Sequence, residues 1–329
     1  KHPILFLRTR EFLWQEGHTA YANKKDAEKE VLDILEIYRE IVEDYMAIPS
    51  IKGRKSDKEK FAGGEYTITL EHLMPNGKAI QGPDSHHLGQ NFSKAFDINY
   101  LDRNEEEKYV WQNSWGFSTR QLGIMFAVHG DDKGLVIPPK VASIQVVIVP
   151  IYNDKTRKDV LKEAKKLPNS LKDLSVHLDD RDGYTPGFKF NEWELKGVPL
   201  RLEIGPKDIE KNQVILVRRD TGEKKEVKTK DLKKETEKTL EEIQKNLFDR
   251  AKKFMEEHTK EIKTYEELKK NIESNWVIAP WCGDVACEEK IKDETGAKII
   301  NIPFNLKAKG NCLLCGKPAK YIVYFGKSY

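Results

Sequence analysis

Residues 6–21 read Phe6-Leu-Arg-Thr-Arg-Glu-Phe-Leu-Trp-Gln-Glu-Gly-His-Thr-Ala-Tyr21. Two arginines, two acids, a histidine and several aromatics fall within sixteen positions. A period of two predicts an extended strand with Phe12, Trp14, Glu16 and His18 on one face. Glu11, Leu13, Gln15 and Gly17 then fall on the other. A face of two aromatics, an acid and an imidazole makes a poor core, because the polar pair would be buried without evident partners. It suits a pocket floor, where a flat π-surface meets groups that orient a small polar ligand. Arg8 and Arg10 lie just upstream, where a loop can bring a guanidinium to phosphate oxygens. An amphipathic strand with solvated charges accounts for the pattern equally well.

The chain has 329 residues, which predicts two or three domains. Its 57 basic and 54 acidic residues nearly cancel, so a net charge of +3 does not by itself indicate nucleic acid. No apolar run has membrane-spanning length and no signal peptide is visible, which leads to the expectation of a cytoplasmic protein.

Downstream of the opening stretch, Asn23 and Asp26 can cap a helix. Val31, Ile34, Leu35, Tyr38, Ile41, Val42 and Tyr45 recur at helical spacing through 26–47. A polar loop at 52–65 contains Gly63-Gly64, a hinge candidate. Strands at 67–74 and 78–81 flank Pro75-Asn76-Gly77, a hairpin signal. Strands near 95–101 and 108–117 lead to a helix for which Ser118 is the expected cap. This is an antiparallel sheet with helices, and no glycine-rich phosphate loop follows a strand. Pro138-Pro139 closes that unit. The apolar run Val141–Ile151 predicts a fully buried strand, followed by a helix at 156–166 and strands near 174–179, 199–204 and 213–219. A long helix at about 230–257 buries Leu240, Ile243, Leu247, Ala251 and Phe254. The fold class is therefore α/β and α+β multidomain.

The opening stretch resembles the second half of motif 2 of class II aminoacyl-tRNA synthetases, and in particular the prolyl-tRNA synthetases of the archaeal/eukaryotic type. Two further strings agree. Ala79-Ile-Gln-Gly-Pro-Asp-Ser-His-His-Leu-Gly-Gln-Asn-Phe92 resembles the family's segment between motifs 2 and 3. Gln112-Asn-Ser-Trp-Gly-Phe-Ser-Thr-Arg120, continuing through His129-Gly-Asp-Asp-Lys-Gly-Leu-Val-Ile-Pro-Pro139, resembles motif 3. The likeness covers essentially the whole chain, whereas the class I signatures are absent. It implies a partial catalytic domain at 1–140, an anticodon-binding domain at 141–245 and a zinc-binding C-terminal domain at 246–329. In the family an upstream strand bearing Arg-x-Glu and motif 1 come earlier. Neither precedes the opening stretch here, so the chain is expected to be the C-terminal portion of a longer protein. With only about ninety residues between motifs 2 and 3, an editing domain is not expected there.

The implied reaction activates L-proline with ATP and Mg²⁺ and transfers it to tRNA(Pro). Activation brings a carboxylate in line with the α-phosphate and stabilises charge on five-coordinate phosphorus, a task for cationic clamps. Arg8 and Arg120 suit that catalytic role. By resemblance, Phe12 stacks on adenine, Arg8 and Thr9 lie near the nucleotide, and Gln81 lies near the ribose. Proline needs flat apolar walls and an acceptor for its ammonium. Trp14, Phe92 and Trp115 are candidate walls, Glu16 the acceptor, and His18 and His86 the orienting groups, with Ser118 in the same set. The role of Asp84 is left open. The string from Trp193 to Lys207 resembles the anticodon-reading segment, with Glu194, Arg201 and Lys207 as candidate readers; a carboxylate and a cation can together read guanine edges. The resemblance also implies a homodimer and a terminal Tyr329 folded back towards the catalytic domain. A non-catalytic tRNA-binding fragment or paralogue is the alternative.

The four cysteines stand as Cys282-x₄-Cys287 and Cys312-x₂-Cys315. Thiolate pairs brought together by a longer loop predict a closed tetrahedral Zn²⁺ site with a structural role.

Overall fold

A computed structural model describes residues 2–329. In chain order the elements are β1 (Trp14–Tyr21), α1 (Lys24–Arg39), β2 (Ile51–Arg54), β3 (Tyr66–Leu73), β4 (Ala79–Gly89), α2 (Asn91–Ala95), β5 (Asn99–Leu101), β6 (Glu107–Tyr109), β7 (Trp111–Ser118) and α3 (Arg120–His129). There follow β8 (Val146–Pro150), α4 (Arg157–Ala164), α5 (Leu167–Ser170), β9 (Val176–Leu178), α6 (Pro186–Leu195), β10 (Leu200–Ile204), α7 (Pro206–Glu210), β11 (Gln213–Arg218), β12 (Lys224–Lys228) and α8 (Leu232–Glu257). The chain closes with β13 (Thr259–Glu261), α9 (Tyr265–Asn271), β14 (Trp276–Trp281), α10 (Val285–Thr295), β15 (Lys298–Pro303) and β16 (Tyr321–Gly326). No helix of the described residues is long and apolar enough to cross a membrane.

Two compact units emerge. The first comprises residues up to Asp44, Pro49–Ile124 and Lys252–Tyr329. Its main sheet runs β1-β7-β4-β3-β2-β15-β16-β14-β13, so the cysteine-bearing segment 252–329 joins the opening sheet through the short β2–β15 pairing. The Asn-Gly hairpin forms between β3 and β4. Gly77 has φ +78, and a Cβ there would lie 2.5 Å from the Ser274 carbonyl oxygen, so both conformation and space demand glycine. Helix α1 is capped by Asn23, whose side chain accepts from the Asp26 N–H at 3.0 Å. Its apolar stripe, Ala27, Val31, Leu35 and Tyr38, is buried. Each full Leu or Val burial contributes about 1.5–3 kcal/mol. The expected helix over 26–47 is alpha-helical only to Arg39, and the next turn widens into a π-helix at Glu40–Tyr45. The second unit, Tyr45–Ile48 and Met125–Ala251, holds the mixed sheet β12-β11-β10-β8-β9. Every residue of β8 is buried, as its unbroken apolar run requires, and Leu240, Ile243 and Leu247 of α8 lie in the core with it.

Two histidines are locked into these cores. In the first unit, His72 of β3 is fully buried. A proton on Nδ1 donates to the Pro49 carbonyl at 3.1 Å, leaving Nε2 to accept from the Gln121 amide at 3.3 Å. In the second, His129 meets the Met46 carbonyl at 2.9 Å. Burial pulls both imidazoles down to about 4. Above pH 6.5 both are neutral folded or unfolded; below it the unfolded chain binds the protons first. Stability is therefore lost as pH falls from 6.5 towards 4, by up to about 1.4 kcal/mol per pH unit for each group. The thermal midpoint is expected to drop across that window, and His72→Gln to flatten part of the slope in thermal melts at stepped pH.

Candidate functional site

Residues paired across antiparallel strands share a face, so register decides which side chains meet. Trp14, Glu16 and His18 of β1 pair with Ser118, Gly116 and Ser114 of β7. Gly116 and Ser114 pair in turn with Asp84 and His86 of β4, and these with Thr69 and Thr67 of β3. One face of the sheet thus presents Trp14, Glu16, His18, Ser118, Asp84 and His86. A Cβ at Gly116 would touch the Trp14 ring at 3.3 Å, which confirms the side. Glu16 and His18 form an exposed pair at 2.9 Å, and His86 contacts Asp84 at 3.3 Å and the Thr67 hydroxyl at 2.9 Å. Over His86 lies the ring of Phe61, centroids 4.8 Å apart, with Phe92 at 6.3 Å beyond it.

Three expectations change here. Phe12 precedes the strand, which begins at Trp14; its ring meets Trp14 edge-on at 6.1 Å. Trp115, expected as a pocket wall, pairs with Gly17 and so lies on the opposite face. A Cβ at Gly17 would fall 2.1 Å from the Trp115 ring, so the indole occupies the space that glycine leaves on that side. That face packs on α1, where the Tyr38 hydroxyl donates to Gln15 at 2.6 Å and the Asn113 amide to the Ala27 carbonyl at 2.8 Å. Ser118 does not cap a helix starting beside it. The helix begins at Arg120, whose N–H points to the Ser118 hydroxyl at 3.4 Å.

Arg8, Thr9, Phe12, Ser118 and Arg120 line one cleft of about 330 Å³. Gln81 lines an adjoining cleft of about 290 Å³ that shares Arg8 and Arg120. The Gln81 amide donates to Asp84 at 2.5 Å, tying this residue to the sheet face. Arg8 donates to the main-chain oxygen of Tyr329, so the end of the chain reaches this cleft, held by Tyr329 N–H to the Ala79 carbonyl at 2.9 Å. Arg120 donates from Nε to the Leu7 carbonyl at 3.2 Å and, among the described residues, forms no ion pair with a carboxylate. Burial within the cleft and the neighbouring Arg8 charge hold its pKa below the ordinary arginine value. Two guanidiniums facing one cleft form a site that an anion relieves.

In the second unit, Arg201 of β10 pairs with Glu194 of α6 at 2.9 Å and with Glu203 at 3.0 Å, its guanidinium 4.1 Å from the Phe190 ring centroid. Lys207 stands exposed in the first turn of α7, bonded to neither. The structure thus joins two of the three candidate readers directly.

The four cysteine sulfurs lie within 4.8 Å of one another, a group that could hold a metal ion. Cys282 follows β14, Cys287 sits in α10, and Cys312 and Cys315 flank a turn closed by the Cys312 N–H to the Lys317 carbonyl at 2.8 Å. Cys282, Cys287 and Cys312 are buried and Cys315 is exposed. Burial pushes the Cys287 thiol up, whereas the Lys317 backbone N–H draws Cys315 down to about 7.

Phe61 and Asp84 escaped assignment from sequence. Asp84 shared the period-two alternation with His86, which was a usable signal. Phe61 sits in an aperiodic loop, and nothing local announced it.

Comparison with known proteins gives three family matches in order: "tRNA synthetase class II core domain (G, H, P, S and T)" over residues 3–129, "Anticodon binding domain" over 145–239, and "Prolyl-tRNA synthetase, C-terminal" over 265–329. A proline–tRNA ligase of Natranaerobius thermophilus is 53% identical over 329 residues, covering 98% of this chain and 68% of the relative. One from Alkaliphilus oremlandii is 52% identical, with 98% and 68% covered. A cytoplasmic proline–tRNA ligase of Arabidopsis thaliana is 47% identical, with 100% and 64% covered.

Proposed function

Because the chain belongs to the proline–tRNA ligase family of class II aminoacyl-tRNA synthetases, we propose that it activates L-proline with ATP and transfers it to tRNA(Pro), in the three modules 1–140, 141–245 and 246–329. The observation that carries this reading is the sheet face that presents Trp14, the Glu16–His18 pair and His86 under Phe61, together with the two-arginine cleft. Glu16 accepts the secondary ammonium, and His18 and His86 orient it. Trp14, Phe61 and Phe92 supply flat walls that match the pyrrolidine ring. Phe12 gives the adenine a stacking surface and Gln81 a polar contact near the ribose. Arg8 and Arg120 clamp phosphate oxygens as the proline carboxylate attacks the α-phosphorus and pyrophosphate leaves, with Mg²⁺ entering on the nucleotide. The backbone beside Thr9 completes the nucleotide cleft. Ser118, which lines that cleft, sits where the two substrates meet.

Transfer requires recognition of the tRNA. Glu194 and Arg201 stand side by side as an acceptor and a cation suited to guanine edges in an unstacked loop. Arg201 is buried with Nε on Glu203 and Nη1 on Glu194 and must exchange one of these bonds to reach a base, and Lys207 adds an exposed cation. The family makes cytoplasmic location and a homodimer the expected setting. For the cysteines, Zn²⁺ fits: a tetrahedron with bonds of about 2.3 Å places sulfurs about 3.8 Å apart, and Cys315 lies 3.7 Å from Cys282. With all four positions filled by thiolates, zinc would cross-link the fold and supply no chemistry to the substrates.

The test is proline-dependent ATP–pyrophosphate exchange with the full-length gene product, followed by charging of tRNA. Exchange with proline and not with other small amino acids is the expected result. Silence alongside tRNA binding would replace the enzyme with a tRNA-binding paralogue. Arg201→Ala is expected to leave tRNA-free exchange intact and to cut kcat/KM for tRNA by roughly ten- to hundredfold, the worth of one good base contact. Lys207→Ala, an exposed change, should act in the same direction more weakly.

A further inference from the structure

Resting on the proline reading above, we propose that the buried Ser56–Glu288 hydrogen bond is a positioning latch that sets the aromatic wall of the amino-acid pocket from the cysteine-bearing segment. The loop 55–65 between β2 and β3 carries Phe61 over His86. Ser56, 1% exposed, donates its hydroxyl to Glu288 Oε1 at 2.8 Å. Glu288, 2% exposed, directly follows Cys287 in α10. Two flanking ion pairs dock the same loop on the same segment: Lys58 with Glu289 at 2.8 Å and Glu59 with Lys298 at 3.1 Å.

From this anchor a continuous hydrogen-bonded path reaches the pocket. The Ser56 carbonyl accepts from the N–H groups of Glu59 and Lys60 at 3.1 and 3.0 Å, forming the turn that presents Phe61. The Phe61 N–H donates to the Thr67 hydroxyl at 2.9 Å, and that hydroxyl contacts His86 Nδ1 at 2.9 Å. The second oxygen of Glu288 is buried and, among the described residues, has no hydrogen-bond partner. A carboxylate buried with one oxygen unmatched is an expensive way to fill space, and an apolar side chain would cost less if packing were its only task. The arrangement instead defines where the loop sits. Because Glu288 neighbours Cys287 in sequence, the position of the cysteine helix is transmitted to the pocket wall.

Ser56→Ala in the full-length enzyme is expected to raise KM for proline about tenfold, the worth of one buried hydrogen bond. KM for ATP and kcat should stay within about twofold, because the cleft lined by Arg8, Thr9, Phe12 and Arg120 contains no residue of this path, which touches only the adjoining Gln81 cleft, through Glu59. Glu288→Gln, which keeps an acceptor for the Ser56 hydroxyl, should restore near-normal KM, whereas Glu288→Ala should not. Amide hydrogen exchange over residues 57–64 should quicken in Ser56→Ala and Glu288→Ala by more than in the rest of the chain, beyond what the lower thermal midpoint of a lost buried bond accounts for. Unaltered proline KM and unaltered exchange protection in both variants would overturn the latch. So would equal rises in both KM values with exchange quickened evenly across the chain, the mark of a merely structural bond. Absence of proline-dependent activity in the parent enzyme would overturn the proline reading instead, and loop protection would still decide whether the latch holds the loop.

Discussion

Arg120→Ala is expected to lower the rate of proline-dependent ATP–pyrophosphate exchange by about 10²–10³, the usual cost of removing one preorganised donor from developing charge. The structure gives the reason. Arg120 and Arg8 share a cleft, each held through a main-chain oxygen, Arg120 by Leu7 and Arg8 by Tyr329. Neither contact neutralises Arg120, and no carboxylate ion pair competes for it among the described residues. Its charge is available to phosphate oxygens and becomes most valuable when charge builds on five-coordinate phosphorus. The loss should therefore fall mainly on kcat, with a smaller rise in KM for ATP. Arg120→Lys keeps the charge but loses the planar fork, and should recover only part of the rate. Steady-state exchange at varied ATP and proline measures the split. A change of less than about fivefold in Arg120→Ala would remove this residue from the clamp, since removing a catalytic hydrogen-bond donor costs far more.

Cys287→Ser, or stripping of the metal by a chelator, is expected to have the largest effect on stability. Structural zinc sites in small peptides contribute about 10–16 kcal/mol, and the loss here should be a local fraction of that. Among residues 304–320 only Cys312 is buried, so this segment has almost no apolar core of its own. By contrast Val277, Ile291, Ile299, Val323 and Phe325 form a packed cluster beside it. Metal loss should therefore free 304–320 first, seen as rapid proteolysis there, while the sheet β14-β16-β15 persists. Metal analysis should show one zinc per chain in the parent protein and a sharp fall in Cys287→Ser. A full zinc content and unchanged proteolysis in that variant would exclude Cys287 as a ligand.

Much of the candidate site was legible in the chain itself. Period-two alternation is a local property, so Trp14, Glu16 and His18 shared a face however β1 was paired. Asn-Gly demanded a left-handed turn, and the structure has it at Gly77. Cysteine spacing announced a cluster because ligands for one ion must converge in pairs. The apolar stripe of α8 marked the buried side of a long helix, and Leu240, Ile243 and Leu247 lie there. These features follow from covalent geometry and from the chemistry of a few residues.

What only the tertiary structure decided was phase and arrival. Trp115 lies within a motif that reads as a pocket, yet its pairing with Gly17 turns it to the helix side. A shift of one residue in register would have reversed that, and register is set by long-range pairing, not by the strand's own sequence. Phe61 reaches His86 because its loop is fastened to α10 more than two hundred residues away, by Ser56 and Glu288. The segment 246–329 reads as a module of its own, and only the folded chain shows that its strand β15 pairs with β2 and so adds to the sheet that carries the pocket. The sequence by itself thus determined which chemistry the chain carries, because residue type and short spacing are local. The folded structure decided which groups face one another, because strand pairing and loop docking join residues that no local pattern connects.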